Sequence, residues 1–276
     1  MPQEQASLRQ VLEFMVAAGI ETPLEDRPVD RFARSAPAEA SAVPRAVPAS
    51  PEMAGRAIPA VQPMTGGVAA VPLAPDAAVM EARRLAASAP DLETLRALLD
   101  AFEGCALKST ASRLVFADGT PGAPVMIVGE APGRDEDETG RPFVGRAGQL
   151  LDKMLSSIGL SREHVYIANT VPWRPPGNRT PTPQEIAICL PFITRQIELS
   201  GPKVLVTMGA PATQTLLGQK EGILRLRGRW FEYALAGKPI PALATLHPAY
   251  LLRQPSQKAL AWRDLRALRA RLREPG

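Results

Sequence analysis

Cysteine is scarce in this chain, because 276 residues include only Cys105 and Cys189. A small disulfide-stabilised secreted domain is therefore excluded, and two buried free thiols are the simplest expectation. No apolar run approaches the roughly 20 residues that a membrane-spanning helix needs. Residues 1–10 also lack the basic stretch and apolar core of a secretory signal. These absences predict a cytoplasmic protein with no membrane partner.

Proline, in contrast, is abundant and unevenly placed, with 29 residues in the chain. Leu8, Val11, Leu12 and Met15 recur at helical spacing and predict a short helix over residues 1–20, which needs a docking surface on the main domain or on a protein partner. Residues 21–76 hold ten prolines and few large apolar side chains, so we expect a disordered linker there. We therefore predict that residues 77–276 form the folded domain.

Short apolar runs alternate with helical patterns through this domain. Strands are predicted over residues 124–129, 165–169, 203–209 and 240–246, and the principal helices over residues 77–88, 91–104, 146–158, 183–200 and 256–273. This alternation is typical of an α/β fold with three α/β/α layers and a central, mainly parallel four-stranded sheet. Residues 225–233 are expected to form a small hairpin beside it. We expect a monomer.

Positive charge is concentrated near the C-terminus. The formal net charge is only +4, but residues 221–276 contain 11 Lys and Arg against four Asp and Glu. A polyanionic partner such as nucleic acid would explain this asymmetry. The alternative is a solvated amphipathic helix, and charge alone does not separate the two.

The loops that follow the predicted strands are rich in Gly, Pro, Asn and charge. In parallel sheets, ligands bind at the carboxyl ends of the strands, where these loops lie. The first loop begins Gly129-Glu130-Ala131-Pro132-Gly133. No Lys-Ser or Lys-Thr pair follows it, which disfavours a nucleotide triphosphatase.

The motifs in these loops resemble those of the type 4 uracil-DNA glycosylases. They are GEAPG (129–133), GRPFVGRAGQLLD (140–152), IANTV (167–171), RPPGNRTPTPQE (174–185) and LHPAYLL (246–252). Their order and spacing match the family from about Phe102 to Leu252. The resemblance implies an enzyme that flips uracil out of DNA and hydrolyses its N-glycosidic bond, which starts base excision repair.

The resemblance also implies roles for individual side chains at the uracil. Phe143 corresponds to the aromatic residue that stacks on the extruded base, and Asn169 to the amide that reads its edge. His247, one of only two histidines, corresponds to the residue that stabilises negative charge on uracil O2. Ala131 occupies the position where better-known relatives carry a carboxylate. Glu130 is therefore the candidate for water positioning or electrostatic catalysis, with Glu136 second.

Other residues are expected to contact the DNA. Basic side chains flank the loops, at Arg174, Arg179, Arg227, Arg229 and Arg253. Leu251 and Leu252 belong to the loop that, in the family, enters the space left by the flipped base. Ordinary core packing is the alternative for either leucine.

The chain departs from the family at the iron–sulfur cluster. Type 4 enzymes carry a four-cysteine cluster, and the matching positions here are Phe102, Cys105, Trp173 and Cys189. A cubane cluster needs four good ligands, which Phe and Trp do not provide. We therefore predict no cofactor, two thiols close together, and two aromatic side chains filling the remaining volume. No other metal site is expected.

Two alternative functions remain open at this point. Loss of the cluster ligands would be compatible with a non-catalytic DNA-binding protein of the same fold. A glycosylase for another deaminated base, such as hypoxanthine or xanthine, is the second alternative, because Asn169 favours uracil without excluding these purines.

Overall fold

The computed structural model describes residues 75–235 and 237–273. The predicted N-terminal helix and nearly all of the predicted linker lie outside these residues. Within the described part, the helices are α1 Pro75–Ser88, α2 Leu92–Ala101, α3 Arg134–Thr139, α4 Arg146–Ser156, α5 Pro183–Ser200, α6 Ala210–Leu217, α7 Ile223–Leu226, α8 Pro248–Arg253 and α9 Lys258–Arg273. None of these helices is both long and apolar enough to cross a membrane.

The sheet has six strands in the described residues, where the sequence predicted four. They are β1 Asp118–Gly119, β2 Val125–Gly129, β3 Val165–Asn169, β4 Val204–Met208, β5 Trp230–Leu235 and β6 Lys238–Thr245, in the order β1-β3-β2-β4-β6-β5. The four central strands are parallel, as predicted. The additional strands β1 and β5 pair antiparallel at the two edges.

The three-layer α/β/α arrangement is confirmed. Strands β2, β3 and β4 are buried along their whole length. Successive residues of a strand face opposite sides of the sheet, and helices cover both sides. Ile127 and Ile167 pack in a hydrophobic cluster that includes α4 and α9 side chains. Met126 and Tyr166, one residue earlier, face a second cluster that includes side chains of α5. Each strand therefore needs apolar side chains at every position.

Local signals in the sequence determine where individual helices begin. The Asp91 carboxylate accepts a hydrogen bond from the Thr94 N–H at 2.7 Å and starts α2, as its sequence predicted. Thr182 and Glu185 form a reciprocal capping box at the start of α5. Because β2, β3, β4 and β6 run parallel, their carboxyl ends meet at one edge of the sheet, and the loops that follow them surround a cavity there.

Candidate active site

A cavity of about 550 Å³ opens at the carboxyl edge of the sheet. Its volume falls in the range of small-ligand sites. The sequence-predicted side chains that line it are Glu130, Ala131, Glu136, Phe143, Asn169, Arg179, His247 and Arg253. The fold thus brings together residues that lie more than 100 positions apart in the chain.

Phe143 and His247 form the apolar wall of this cavity. Their ring centroids are 5.4 Å apart and their planes differ by 30°. Phe143 adopts a φ of 55°, in the left-handed region that is unfavourable for a bulky side chain. Such a conformation costs about 1–3 kcal/mol and persists only where surrounding contacts impose it.

Two charged side chains impose the Phe143 conformation. The Glu136 carboxylate accepts hydrogen bonds from the N–H groups of Gly133 at 3.0 Å, Val144 at 2.9 Å and Gly145 at 2.9 Å. Arg162 donates to the Phe143 carbonyl and, through the same guanidinium group, forms an ion pair with Asp118. Glu136 thus lines the cavity, but its oxygens are directed at the backbone of the Phe143 loop.

Glycines allow the close approach of the site elements. A Cβ atom on Gly129 would lie 2.5 Å from Asn169 Oδ1 and 2.6 Å from Phe143 Cζ. A Cβ atom on Gly148, in the first turn of α4, would lie 1.6 Å from the Phe143 carbonyl oxygen. Asn169 and Phe143 therefore converge on the end of β2, where only a residue without a side chain fits.

Asn169 ends β3 and points its amide into the cavity. The residue is only 5% exposed. Its side chain forms no hydrogen bond with any residue that the structure describes. Both the carbonyl and the NH₂ group are therefore available to a bound base, and together they supply one acceptor and two donors.

His247 is a neutral hydrogen-bond donor in this site. Burial, together with the positive charge of Arg253, lowers the pKa of His247 to about 4. Its Nδ1 atom accepts a hydrogen bond from the Ala249 N–H at 3.1 Å, which caps α8. Because Nδ1 is an acceptor in the neutral ring, the proton must lie on Nε2. The imidazole can therefore donate without carrying charge.

Glu130 follows β2 and has an unsatisfied carboxylate. Its Oε1 atom is buried and has no hydrogen-bond partner among the described residues. Burial raises the pKa of this carboxyl group, and a hydrogen bond with Thr180 partly opposes that effect. The Thr170 hydroxyl donates to the Glu130 carbonyl oxygen at 2.7 Å and holds the loop against β3. An unpaired acceptor at a cavity wall is suited to a water molecule.

The predicted DNA-contacting arginines occupy different environments. Arg179 pairs through both nitrogens with Glu185, at 2.8 and 2.6 Å, and Arg174 donates to Asn178 Oδ1 at 2.7 Å. Arg253 lines the cavity. In contrast, Arg227 is held by the buried carboxylate of Asp264 and the Leu260 carbonyl, so it has a structural partner behind the site.

The remaining surface candidates also differ from one another. Arg229 pairs with Glu221 at 3.3 Å and lies over the Phe231 ring at 5.3 Å. Leu251 is 1% exposed and packs in the core with α4, whereas Leu252 is 36% exposed. The apolar side chain that α8 presents outward is therefore that of Leu252.

The four positions that correspond to cluster ligands are packed together. Cys189 Sγ lies 3.9 Å from Cys105 Sγ, which confirms the predicted proximity of the thiols. Phe102 and Trp173 are 4% and 2% exposed and belong to the same hydrophobic cluster as both cysteines. The hydrogen bond to Cys105 and burial raise the pKa of the Cys189 thiol. Two thiols and two aromatic rings do not supply the four ligands of an iron–sulfur cluster.

Sequence reasoning missed two residues that shape the site. Arg162 clamps the Phe143 loop from a 3₁₀ turn before β3, and Thr180 faces Glu130 across the cavity. Thr180 lies inside the RPPGNRTPTPQE motif, so that motif could have identified it as a site residue. Arg162 lies outside every matched motif, and no local signal marked it.

Comparison with known proteins identifies a family and several relatives of this chain. The family profile described as "Uracil DNA glycosylase superfamily" matches residues 116–266. A type-4 uracil-DNA glycosylase of Thermotoga maritima is 45% identical over 155 residues, which cover 56% of this chain and 79% of that protein. A type-4 uracil-DNA glycosylase of Pyrobaculum aerophilum is 40% identical over 179 residues, which cover 63% and 91%. The chain belongs to the type-4 uracil-DNA glycosylases.

Proposed function

We propose that this protein removes uracil from DNA by flipping the nucleotide into the carboxyl-edge cavity and hydrolysing its N-glycosidic bond. The observation that carries the proposal is the convergence of Phe143, Asn169 and His247 on one cavity. An aromatic plate, an amide and an imidazole donor are the groups that a single pyrimidine requires. Enzymes acting on a base in a duplex must extrude it to reach it.

Uracil recognition is assigned to Phe143 and Asn169. The Phe143 ring offers a face for stacking, while the Asn169 amide can donate to uracil O4 and accept from N3–H. With this orientation of the amide, cytosine would place its amino group opposite the Asn169 NH₂ and its unprotonated N3 opposite the Asn169 carbonyl oxygen, so neither pair could form a hydrogen bond. Mismatched buried polar groups produce strong discrimination. Ala131 and Glu136 border the same cavity, with Glu136 acting through the backbone that it binds.

His247 is assigned the stabilisation of the leaving group. The C1′–N1 bond breaks as uracil departs with the bonding electrons, and the negative charge that develops on O2 meets the Nε2–H donor. A preorganised donor of this kind contributes about 2.7–4 kcal/mol, or roughly 10²–10³ in rate. Water then adds to the oxocarbenium-like sugar at C1′, and the proton that it loses passes to the uracil anion or to solvent. We assign to Glu130, whose buried Oε1 has no partner among the described residues, the binding of that water or the stabilisation of the positive sugar.

The DNA itself is proposed to bind across the mouth of the cavity. Arg179 and Arg253 line the cavity, and Arg174 belongs to the loop that contributes Pro175 and Asn178 to the lining. We assign the apolar wedge to the exposed Leu252, with buried Leu251 anchoring it to the core. Extrusion of a base costs a few kcal/mol, which an inserted apolar side chain offsets.

We further propose that the protein works without an iron–sulfur cluster. Phe102 and Trp173 fill the positions of two ligands, and they pack around the Cys105–Cys189 pair. Metal analysis of protein purified under anaerobic conditions should find far less than one iron–sulfur cluster per chain. A stoichiometric cluster would contradict this proposal without affecting the assignment of the uracil site.

The proposal for the whole chain keeps the predicted organisation. It comprises residues 1–20, which would dock on the main domain or on a protein partner, a connecting segment over residues 21–76, and the glycosylase domain over residues 77–276. We propose a monomeric, cytoplasmic protein.

One gel assay tests the proposed activity. Oligonucleotides that contain uracil, cytosine, hypoxanthine or xanthine at the target position are incubated with the protein, and abasic sites are then cleaved with alkali. We expect cleavage at uracil, and a loss of roughly 10²-fold or more in His247→Ala. Asn169→Ala should lose discrimination against cytosine as well as rate. Cleavage at the purines alone would favour another lesion specificity, and binding without any cleavage would favour a non-catalytic protein.

A further inference from the structure

Helix α9 carries a stripe of exposed and half-buried cationic and aromatic side chains that the active site does not use. We define the α9 stripe as Trp262, Arg266, Arg269 and Arg273, which are spaced by four, three and four residues and therefore share one face of the helix. Trp262 is 42% exposed. A neighbouring face of α9, about 100° around the helix axis, is buried through Ala261, Leu265 and Leu268. Core packing thus explains one face of the helix and leaves the stripe unexplained.

The stripe borders a groove that contains no acidic side chain. The groove has a volume of about 470 Å³, and its other wall is formed by Ser157, Ile158 and Gly159 after α4. Arg269 reaches toward this wall, because its Nη2 atom would lie 3.7 Å from a Cβ atom on Gly159. An anion in the groove would therefore meet three guanidinium groups and no opposing carboxylate.

The arginines of the stripe differ from many others in the protein. Arg84, Arg179 and Arg195 each form an ion pair with a nearby Glu. Across residues 75–235 and 237–273, no Asp or Glu forms an ion pair with Arg266, Arg269 or Arg273. Like charges three and four residues apart destabilise a helix. Arg273 lies in the last turn of α9, where the helix dipole favours a cation, but the described fold offers no acidic partner to Arg266 or Arg269, as expected for a surface that binds an external anion.

The helix that carries the stripe is anchored at the carboxyl edge of the sheet and leads away from that edge. Asp264, near the start of α9, accepts a hydrogen bond from Thr245 at the carboxyl end of β6, the edge that holds His247. From Trp262 to Arg273 the helix advances about 16 Å at 1.5 Å per residue. That length corresponds to roughly five nucleotides of a stacked DNA strand. A strand leaving the cavity along α9 would place several phosphates next to the stripe.

We infer that the α9 stripe binds single-stranded DNA flanking the target uracil. Arg266, Arg269 and Arg273 would contact the phosphates, and Trp262 would stack on an unpaired base. Cationic side chains interleaved with an exposed aromatic ring form the usual platform for a single strand, in which every base offers a π-face. This inference rests on the proposed glycosylase activity, and it assigns that activity a substrate form and a second contact surface.

The test compares Arg266→Gln/Arg273→Gln and Trp262→Ala with the wild-type protein. Binding and single-turnover excision are measured on a uracil oligonucleotide of about five nucleotides and on one of about 20. We expect both variants to bind the longer strand several-fold more weakly and to process the short one normally. Removing two phosphate contacts should also reduce the slope of log K against log salt by about 1.4. Two further strands extend from the uracil on the 5′ side only or on the 3′ side only. We expect just one of the two to be bound more weakly by the variants than by the wild-type protein.

Arg83→Gln/Arg96→Gln serves as the matched control. It removes the same charge from exposed positions on α1 and α2, which pack in the other helical layer. Thermal melting of each variant verifies the fold. If the α9 variants match this control on every strand while the wild-type protein excises uracil, the inference is overturned, and an acidic protein partner becomes the better occupant. If the wild-type protein neither binds nor cleaves uracil DNA, the proposed function fails instead.

Discussion

The Glu136→Gln substitution tests whether the Phe143 loop is held in place by a single carboxylate. Glu136 Oε2 accepts from Gly133, and Oε1 accepts from Val144 and Gly145. A Gln side chain keeps one oxygen and turns an NH₂ group toward the remaining N–H, so one hydrogen bond is replaced by two facing donors. The two bonds that persist lose their charged acceptor.

The expected loss follows from these contacts. A hydrogen bond to a charged group contributes about 1.5–3 kcal/mol, and Glu136 is only partly exposed, so we expect a destabilisation of about 2 kcal/mol. For a domain of this size that lowers Tm by roughly 4–8 °C. The loop also loses part of what holds Phe143 in its unfavourable backbone conformation. Because small displacements of a positioned group can cost about 100-fold in rate, kcat should fall by about 10- to 100-fold.

The assay combines single-turnover uracil excision with thermal melting. Glu138→Gln is the matched control, since this neighbour in α3 lies on the surface and, within the described part of the chain, forms an ion pair with Arg134 alone, at 3.8 Å. A direct role of Glu136 at the uracil would reduce excision without reducing Tm. Reduced Tm with normal excision would show that Phe143 keeps its position without this carboxylate. Either outcome would refute the reasoning.

Two further predictions concern protonation. Burial raises the pKa of Glu130, so the folded protein disfavours its charged form and loses stability as pH rises through that pKa. Glu130→Gln should therefore slow excision while raising Tm relative to wild type by an amount that grows as the pH rises above the unfolded-state pKa of Glu, about 4.3, and levels off above the folded-state pKa, and a pH-independent Tm difference would contradict the burial effect. His164→Gln leaves a single imidazole for NMR titration, and we expect His247 to titrate at about 4. A midpoint near the ordinary value of about 6.5 would contradict the neutral-donor assignment.

The central sheet could be predicted from the sequence because its strands are buried on both faces. Runs such as those at residues 125–129 and 165–169 are apolar throughout, and this pattern is local. The two edge strands were not predicted as members of the sheet, and the reason differs between them. Strand β1 contains two residues, too few to show any period, while β5 alternates between exposed and buried positions and was predicted as part of a hairpin over 225–233. Residues 223–226 instead form the short helix α7.

The active-site residues could be predicted because they lie in recognisable motifs, but their supports could not. Phe143, Asn169 and His247 were identified by motif, and the structure brings them to one cavity. Arg162 acts on Phe143 from 19 residues away and on Asp118 from 44 residues away. Such contacts depend on the tertiary fold, and the spacing of apolar residues along the sequence does not indicate them. The choice between Leu251 and Leu252 likewise depends on which face of α8 the core covers.

The cavity brings together three features that each cost stability. Phe143 holds an unfavourable backbone conformation, Glu130 buries an oxygen without a partner, and His247 is desolvated until it is neutral. Each feature costs stability, and each would be relieved by a different residue at the same position. Their coincidence at one sheet edge, with surrounding hydrogen bonds that enforce them, is what a preorganised site requires, because groups fixed before the substrate arrives need no rearrangement in the transition state. The same reasoning predicts that substitutions which relax these residues stabilise the fold and slow the reaction together.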